Sequence, residues 1–329
     1  MCICHVRVSV YGVYCVYASD KLHDRFGSVR ASSFAPFAME FAFDDDVFDS
    51  PRIRGGEPGT SYNAKICESE WFLTATTDDH EEKMMLEKYK GDYHYARNDF
   101  RNAFEVYERC LDLAPKSATS VKRDCLEGMS RCCLKLGRND EALQYADTLE
   151  TLATNSDHRV AVWMLQSEIY NHTKNATEES AALCRCLLVR PWTSDLWYKL
   201  SVCCLSQLET RTDVGNLPLK AGACLLKARM LYQGALSGNQ SFAKVHNLRM
   251  LSEVEQLVSS LELPEDFTTQ ALNEFEKDSD TVNGAESDEE AESLLLLGMK
   301  AADVMSAFEE RWLSSILQYK PDSKSPNEQ

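Results

Sequence analysis

Apolar residues recur at three- and four-residue intervals from about Thr77 to Leu263, the spacing of a helix with one buried stripe. Pro264 and the acidic stretch through Glu292 interrupt that rhythm. A last apolar-periodic run follows, Ser293 to Tyr319, in which Leu297, Ala301, Met305, Phe308, Trp312 and Ile316 share one face while Lys300, Asp303, Glu309 and Glu310 lie away from it. Such a stripe has to be buried. It predicts a docking helix that packs either on the chain's own repeats or on a partner. Before Thr77 the text differs, with acids interleaved with aromatics over Glu40–Asp49 and a Pro/Gly-rich turn segment at 51–60. The pattern therefore predicts an all-α protein: a largely disordered extension over 1–76, a helical repeat domain over 77–263, an acidic linker over 264–292, an amphipathic helix over 293–320 and a disordered tail over 321–329.

Within the helical region the chain resembles itself. From Gly91 the residues Tyr95, Phe100, Ala103, Tyr107, Cys110 and Pro115 follow at fixed offsets. A second copy has Ser130 in the glycine's place, a Leu136-Gly137-Arg-Asn turn and Ala142, and a third has Ser167, Tyr170, Cys186 and Pro191. A fourth opens with Trp197-Tyr-Lys-Leu200-Ser201, and its second helix is not recognisable after Cys204. Small residues let two helices approach, aromatics fill the holes beside them, and proline ends the second helix. The copies resemble the tetratricopeptide repeat, two antiparallel helices in about 34 residues. The resemblance implies a right-handed superhelix of three to four helix pairs, closed by the two longer helices expected at Leu219–Leu236 and Phe242–Leu263. Trp163, Trp197, Cys110, Cys133, Cys186 and Cys204 then read as core residues.

Outside the repeats, Tyr62-Asn-Ala-Lys-Ile-Cys67-Glu-Ser-Glu-Trp71-Phe72, Asn155-Ser-Asp-His158 and Phe308-Glu-Glu-Arg-Trp312 are similar to a vertebrate tetratricopeptide family defined only as a domain of unknown function. The resemblance runs from about Met39 to the end, brings no activity with it, and implies an intracellular protein.

Charge narrows the partners. The net charge is −17, of which −10 falls in residues 265–292 and −5 in 39–50, so the remainder is nearly neutral. A chain so balanced is not expected to coat nucleic acid or an anionic membrane, and no stretch is long and apolar enough for a membrane span. The 13 cysteines form no CxxC, and no histidine stands at a zinc-site spacing from them, so neither metal nor cofactor is expected. GxSxG, HExxH, Walker-type and dinucleotide-binding motifs are absent, which argues against an enzyme. Reduced thiols suit a cytoplasmic or nuclear protein. The alternative is a secreted or luminal glycoprotein, suggested by the uncharged run Val8–Ala18 and by sequons at Asn171, Asn175 and Asn239.

The expectation that emerges is a non-enzymatic scaffold or adaptor holding a protein partner in a groove lined by first helices. The repeat phase places Lys88, Asp92, Tyr95, Glu127, Arg131, Lys135, Met164, Glu168, His172, Tyr198 and Val202 there. Tetratricopeptide co-chaperones hold the acidic C-terminus of heat-shock chaperones with basic and asparagine side chains on these faces. Asp92, Glu127 and Glu168 oppose such a ligand, so that partner is not expected. Ser287, followed by Asp288-Glu289-Glu290, is a candidate site for an acidophilic kinase.

Overall fold

A computed structural model describes residues 69–210, 215–236, 241–282 and 289–319, without the side chains of 209, 210, 241, 242 and 278–282. The acidic-aromatic segment 40–49 and Ser287 lie outside the described residues. The chain divides into two units, Met1–Ala75 and Thr76–Gln329. Of the first, the described part is a single helical turn, α1 (Trp71–Thr74).

The second unit is a consecutive series of helices, and no strand occurs among the described residues. It opens with α2 (His80–Ala96), α3 (Phe100–Leu113), α4 (Thr119–Lys135), α5 (Asn139–Thr151), α6 (Ser156–His172), α7 (Ala176–Val189), α8 (Ser194–Thr210) and α9 (Leu217–Leu236). These pack as pairs, α2 on α3, α4 on α5, α6 on α7 and α8 on α9, and each pair packs on the next. First helices also meet directly, α2 with α4 and α4 with α6.

The same turn closes the first three pairs. Asn98 and Lys174 adopt left-handed backbone at φ 62° and 60°, and Gly137 does so at φ 76°. The next residue then donates its N–H to the carbonyl five back, Asp99 to His94, Arg138 to Cys133 and Asn175 to Tyr170, each at 2.9 Å. That bond is the long one of a Schellman turn. It ends one helix, and Asp99 and Asn175 then cap the next by accepting the N–H of Asn102 and Glu178. Asp79 and Asn155 cap α2 and α6 in the same way, through the N–H groups of Glu82 and His158.

Packing repeats as well. Tyr107 of α3 lies between Gly91 of α2 and Gly128 of α4, where a Cβ on either glycine would come within 2.6 Å of the ring. Cys110 donates to the carbonyl of Met84 at 3.3 Å and Cys186 to that of Val160 at 3.7 Å, in both cases second helix to first across 26 residues. Ala103 and Ala142 are fully buried. One apolar core runs through α2–α6, and a second through α6–α9 and the C-terminal helices; α6 serves both, with Val162, Leu165 and Ile169 in the first and Val160 and Trp163 in the second.

Two sequence expectations change beyond α8. The second helix of the fourth pair, not recognised as such after Cys204, is α9, the first of the two longer helices expected there; it is buried over most of its length, including Lys220 and Lys227, so no amphipathic stripe marks it as a repeat helix. The helices expected at Leu219–Leu236 and Phe242–Leu263 are α9 and α10 (Ser241–Ser260). The region expected to be an acidic linker is helical from Glu265 to Val282 (α11). Phe267, Ala271 and Phe275, spaced by four, are fully buried, and the acidic average of the stretch hides them.

The final run is also not one helix. It comprises α12 (Glu289–Leu295), α13 (Ala301–Trp312) and α14 (Ser314–Leu317), with Gly298 at φ 74° in the break. Leu297, expected on the buried stripe, is exposed; Met305 is half-buried; Phe308, Trp312 and Ile316 are buried, together with Val304 and Leu313, which the stripe omitted. α12 packs on α6 and α7, α13 on α7, and α14 on α9 and α11.

Candidate functional site

Facing residues of successive first helices are joined by ion pairs. On α2, the Lys88 ammonium lies 2.9 Å from Asp92 one turn away and 3.5 Å from Asp124 of α4. Burial alone would push the Lys88 pKa down, but these carboxylates outweigh it and hold it above the ordinary lysine value. Asp124 is pushed above the usual carboxylate value by burial, against the opposing pull of Lys88. About two turns beyond Asp124, Arg131 of α4 donates through Nε to Glu127 of its own helix at 3.0 Å and through Nη1 to Glu168 of α6 at 3.1 Å.

The arrangement is therefore used twice. A cation on one first helix is shared between a carboxylate of that helix and one of its neighbour. Tyr107 ties the first group to the core, its hydroxyl donating to Asp92 at 2.8 Å. Burial, with Asp92 beside it, raises the Tyr107 pKa so far that the phenol stays protonated.

The remaining candidates are placed as follows. Tyr95 packs its ring edge-on to Phe100 at 5.4 Å, at the α2–α3 turn. Lys135 and His172 stand exposed at the C-terminal ends of α4 and α6. Met164 is half-buried against the second core, and Val202 is exposed on α8. Tyr198 donates to Glu253 of α10 at 3.3 Å, and His246 of α10 lies 3.5 Å from Asp195 of α8. Asp124, Asp195, His246 and Glu253 were not among the sequence candidates. Asp124 was findable, because it precedes Glu127 and Arg131 by three and seven residues on one face.

A second polar cluster holds the C-terminal helices. Arg159 of α6, buried, donates to Glu290 at 2.6 Å and to the Ser293 hydroxyl at 2.8 Å, while the Ser156 N–H at the start of α6 donates to the other Glu290 oxygen at 2.6 Å. Lys220 of α9 donates to Glu309 of α13 at 2.6 Å. Lys227, fully buried, lies 4.9 Å from the centre of the Trp192 ring, 4.8 Å from Phe275 and 5.8 Å from Trp312.

The nine described free cysteines are buried. Burial pushes Cys132, Cys186 and Cys204 up to about 12 and Cys133 and Cys203 up to about 11, which disfavours their thiolates at neutral pH. Cys110 is pulled down by a hydrogen bond from Cys125. Among the described residues no group of three or more His, Cys, Asp or Glu is placed to hold a metal ion, and no helix is long and apolar enough to cross a membrane. Of the sequons, Asn175 caps α7, and the Asn171 amide donates to Glu179 at 2.9 Å. Asn239 lies outside the described residues.

Helix pairs in series, with charged groups bridging their first helices, define a helical-repeat protein without an assigned chemistry. The chain belongs to a family of unknown function (DUF5588), whose model matches residues 37–210 and so ends with α8. It is similar to the rat uncharacterized protein C8orf76 homolog, 27% identical over 291 residues that cover 68% of this chain and 78% of the relative. It is also similar to the human uncharacterized protein C8orf76, 36% identical over 160 residues, 48% of this chain and 42% of the relative. The chain thus spans less than half of the human relative's length.

Proposed function

We propose that the protein is a non-enzymatic scaffold of the tetratricopeptide type, working inside the cell, which holds a peptide or helix of a protein partner along the exposed face of its first helices. The observation that carries this reading is the doubled ion-pair arrangement across α2, α4 and α6, which links three neighbouring helices and leaves Asp92, Asp124, Glu127 and Glu168 partly accessible on their shared face. The three matching Schellman turns and the paired cysteine hydrogen bonds support the repeat assignment. The Asn171 side-chain nitrogen, the atom a glycan would take, is used in a hydrogen bond to Glu179, which favours this reading over the glycoprotein alternative at that sequon.

The test is proximity labelling with the full chain, followed by mapping the captured partner by cross-linking. A partner that cross-links to α2, α4, α6 or α8 and is lost in Met164→Arg/Val202→Arg, with the melting temperature kept, is the expected result. A partner that maps elsewhere and ignores those substitutions refutes the groove. A mobility shift on endoglycosidase treatment would instead place the protein in the secretory route.

A further inference from the structure

We infer that the occupant of this face is a basic amphipathic helix, one that presents lysine or arginine side chains beside an apolar stripe; the inference rests on the groove reading above. Lys88 and Arg131 lie low on the face, their side chains only 14% and 12% exposed. The carboxylates that hold them stand higher, from 24% exposed at Glu127 to 52% at Asp124. Each group of one cation and two carboxylates carries one net negative charge, and what an incoming segment meets first is carboxylate.

The two cations cannot turn outward to serve an acidic ligand without leaving their carboxylates unpaired in a partly desolvated place, which is costly. The carboxylates, in contrast, have acceptor sites to spare. An ionised carboxylate offers about four lone-pair positions, and Asp124 and Glu168 each spend theirs on a single cation. A ligand cation therefore adds to the network where an anion would have to break it.

Geometry sets the ligand's spacing. Neighbouring helix axes in such packing lie about 8–10 Å apart. At 1.5 Å per residue a helix lying across α2, α4 and α6 brings cations over the two groups when they are about seven residues apart. Met164 on α6, with Tyr198 and the exposed Val202 on α8, continues the first-helix run and offers an apolar place for the stripe of the same ligand.

The test uses the full chain and fluorescence anisotropy with synthetic helix-forming peptides: one with lysines at i and i+7 flanking a leucine stripe, its glutamate twin, and a lysine peptide of the same composition in scrambled order. The i, i+7 lysine peptide should bind about tenfold or more tighter than either control, and salt should weaken it. Asp124→Asn/Glu168→Gln, which leaves Lys88 with Asp92 and Arg131 with Glu127, should cost about tenfold in affinity while the melting temperature is kept. Equal or tighter binding of the glutamate twin, indifference to the double substitution, or no binding by any peptide overturns the inference. If the glutamate twin binds and Val202→Asp abolishes it, the groove stands and only the charge assignment falls. If no peptide binds while the captured partner still maps to α2, α4 and α6, the groove again stands without this ligand.

Discussion

Phe308→Ala tests whether the C-terminal helices belong to the fold or only rest on it. Phe308 is fully buried on α13, its ring centre 5.4 Å from that of Trp197 on α8, and the same core holds Trp312, Leu313, Ile316 and Phe275. Removing a buried phenylalanine costs about 3–5 kcal/mol, as lost transfer energy plus the cavity left behind. The aromatic pair with Trp197 adds about 0.5–1.5 kcal/mol that the cavity figure does not wholly include. Because α13 is pinned at Lys220 through Glu309 and α12 at Arg159 through Glu290, the site cannot easily collapse onto the gap, so the upper half of the range is expected. For a domain of this size that corresponds to a melting temperature lower by about 10 °C or more. Thermal denaturation followed by circular dichroism, with tryptophan emission reporting Trp197, measures it. A loss under about 1 kcal/mol, with emission unchanged, would show that α13 is a detachable accessory and that the second core is complete without it.

Further outcomes follow from individual contacts. Gly128→Ala should destabilise by about 1–3 kcal/mol, because the new methyl meets the Tyr107 ring at 2.6 Å, whereas Gly234→Ala on α9, with nothing within 4 Å, should gain up to about 1 kcal/mol; paired urea melts compare them. Ala142→Arg, at a fully buried position, should abolish cooperative unfolding, and a melt equal to the parent's would show the repeat phase to be wrong. Glu290→Ala should cost about 2 kcal/mol in a urea titration: it strips the buried Arg159 of its carboxylate, and half-exposure of Glu290 keeps the loss below that of a wholly buried pair. Burial, and then Arg123, hold the His158 pKa below 6.5, so the unfolded chain binds the proton more readily and stability should fall as pH drops through and below 6.5; His158→Asn should flatten that part of the stability profile.

The sequence displayed the first three helix pairs because their signals coincide: each has a left-handed or glycine residue at the turn and a small residue where helices cross, and the first and third add a capping side chain after the turn. Beyond α8 those signals separate. α9 was legible as a helix, but with almost no polar face it showed no phase that would mark it as the second helix of the fourth pair. α11 puts Phe267, Ala271 and Phe275 inside a segment whose net charge suggests a solvated spacer, and composition is an average over residues whereas packing depends on one stripe. The break at Gly298 was open to reading, since a glycine between two periodic runs is a common helix end, but the apolar spacing continued across it.

Position along the first-helix face was legible to the extent that it follows from helical phase, and charge pairing was not. Phase put Lys88 and Asp92 on one face, and likewise Glu127 and Arg131, because each pair is four apart. It could not say that Lys88 reaches Asp124 or that Arg131 reaches Glu168, since those bonds depend on how far one helix is advanced against the next. That offset is set by the core, above all by Tyr107 seated between Gly91 and Gly128. The ring wedges α2 and α4 into one register and through its hydroxyl holds Asp92 in place. A substitution at either glycine should therefore disturb the charge arrangement on the face as well as the packing beneath it. Peptide binding and stability should fall together in Gly128→Ala, and binding alone in Asp124→Asn/Glu168→Gln.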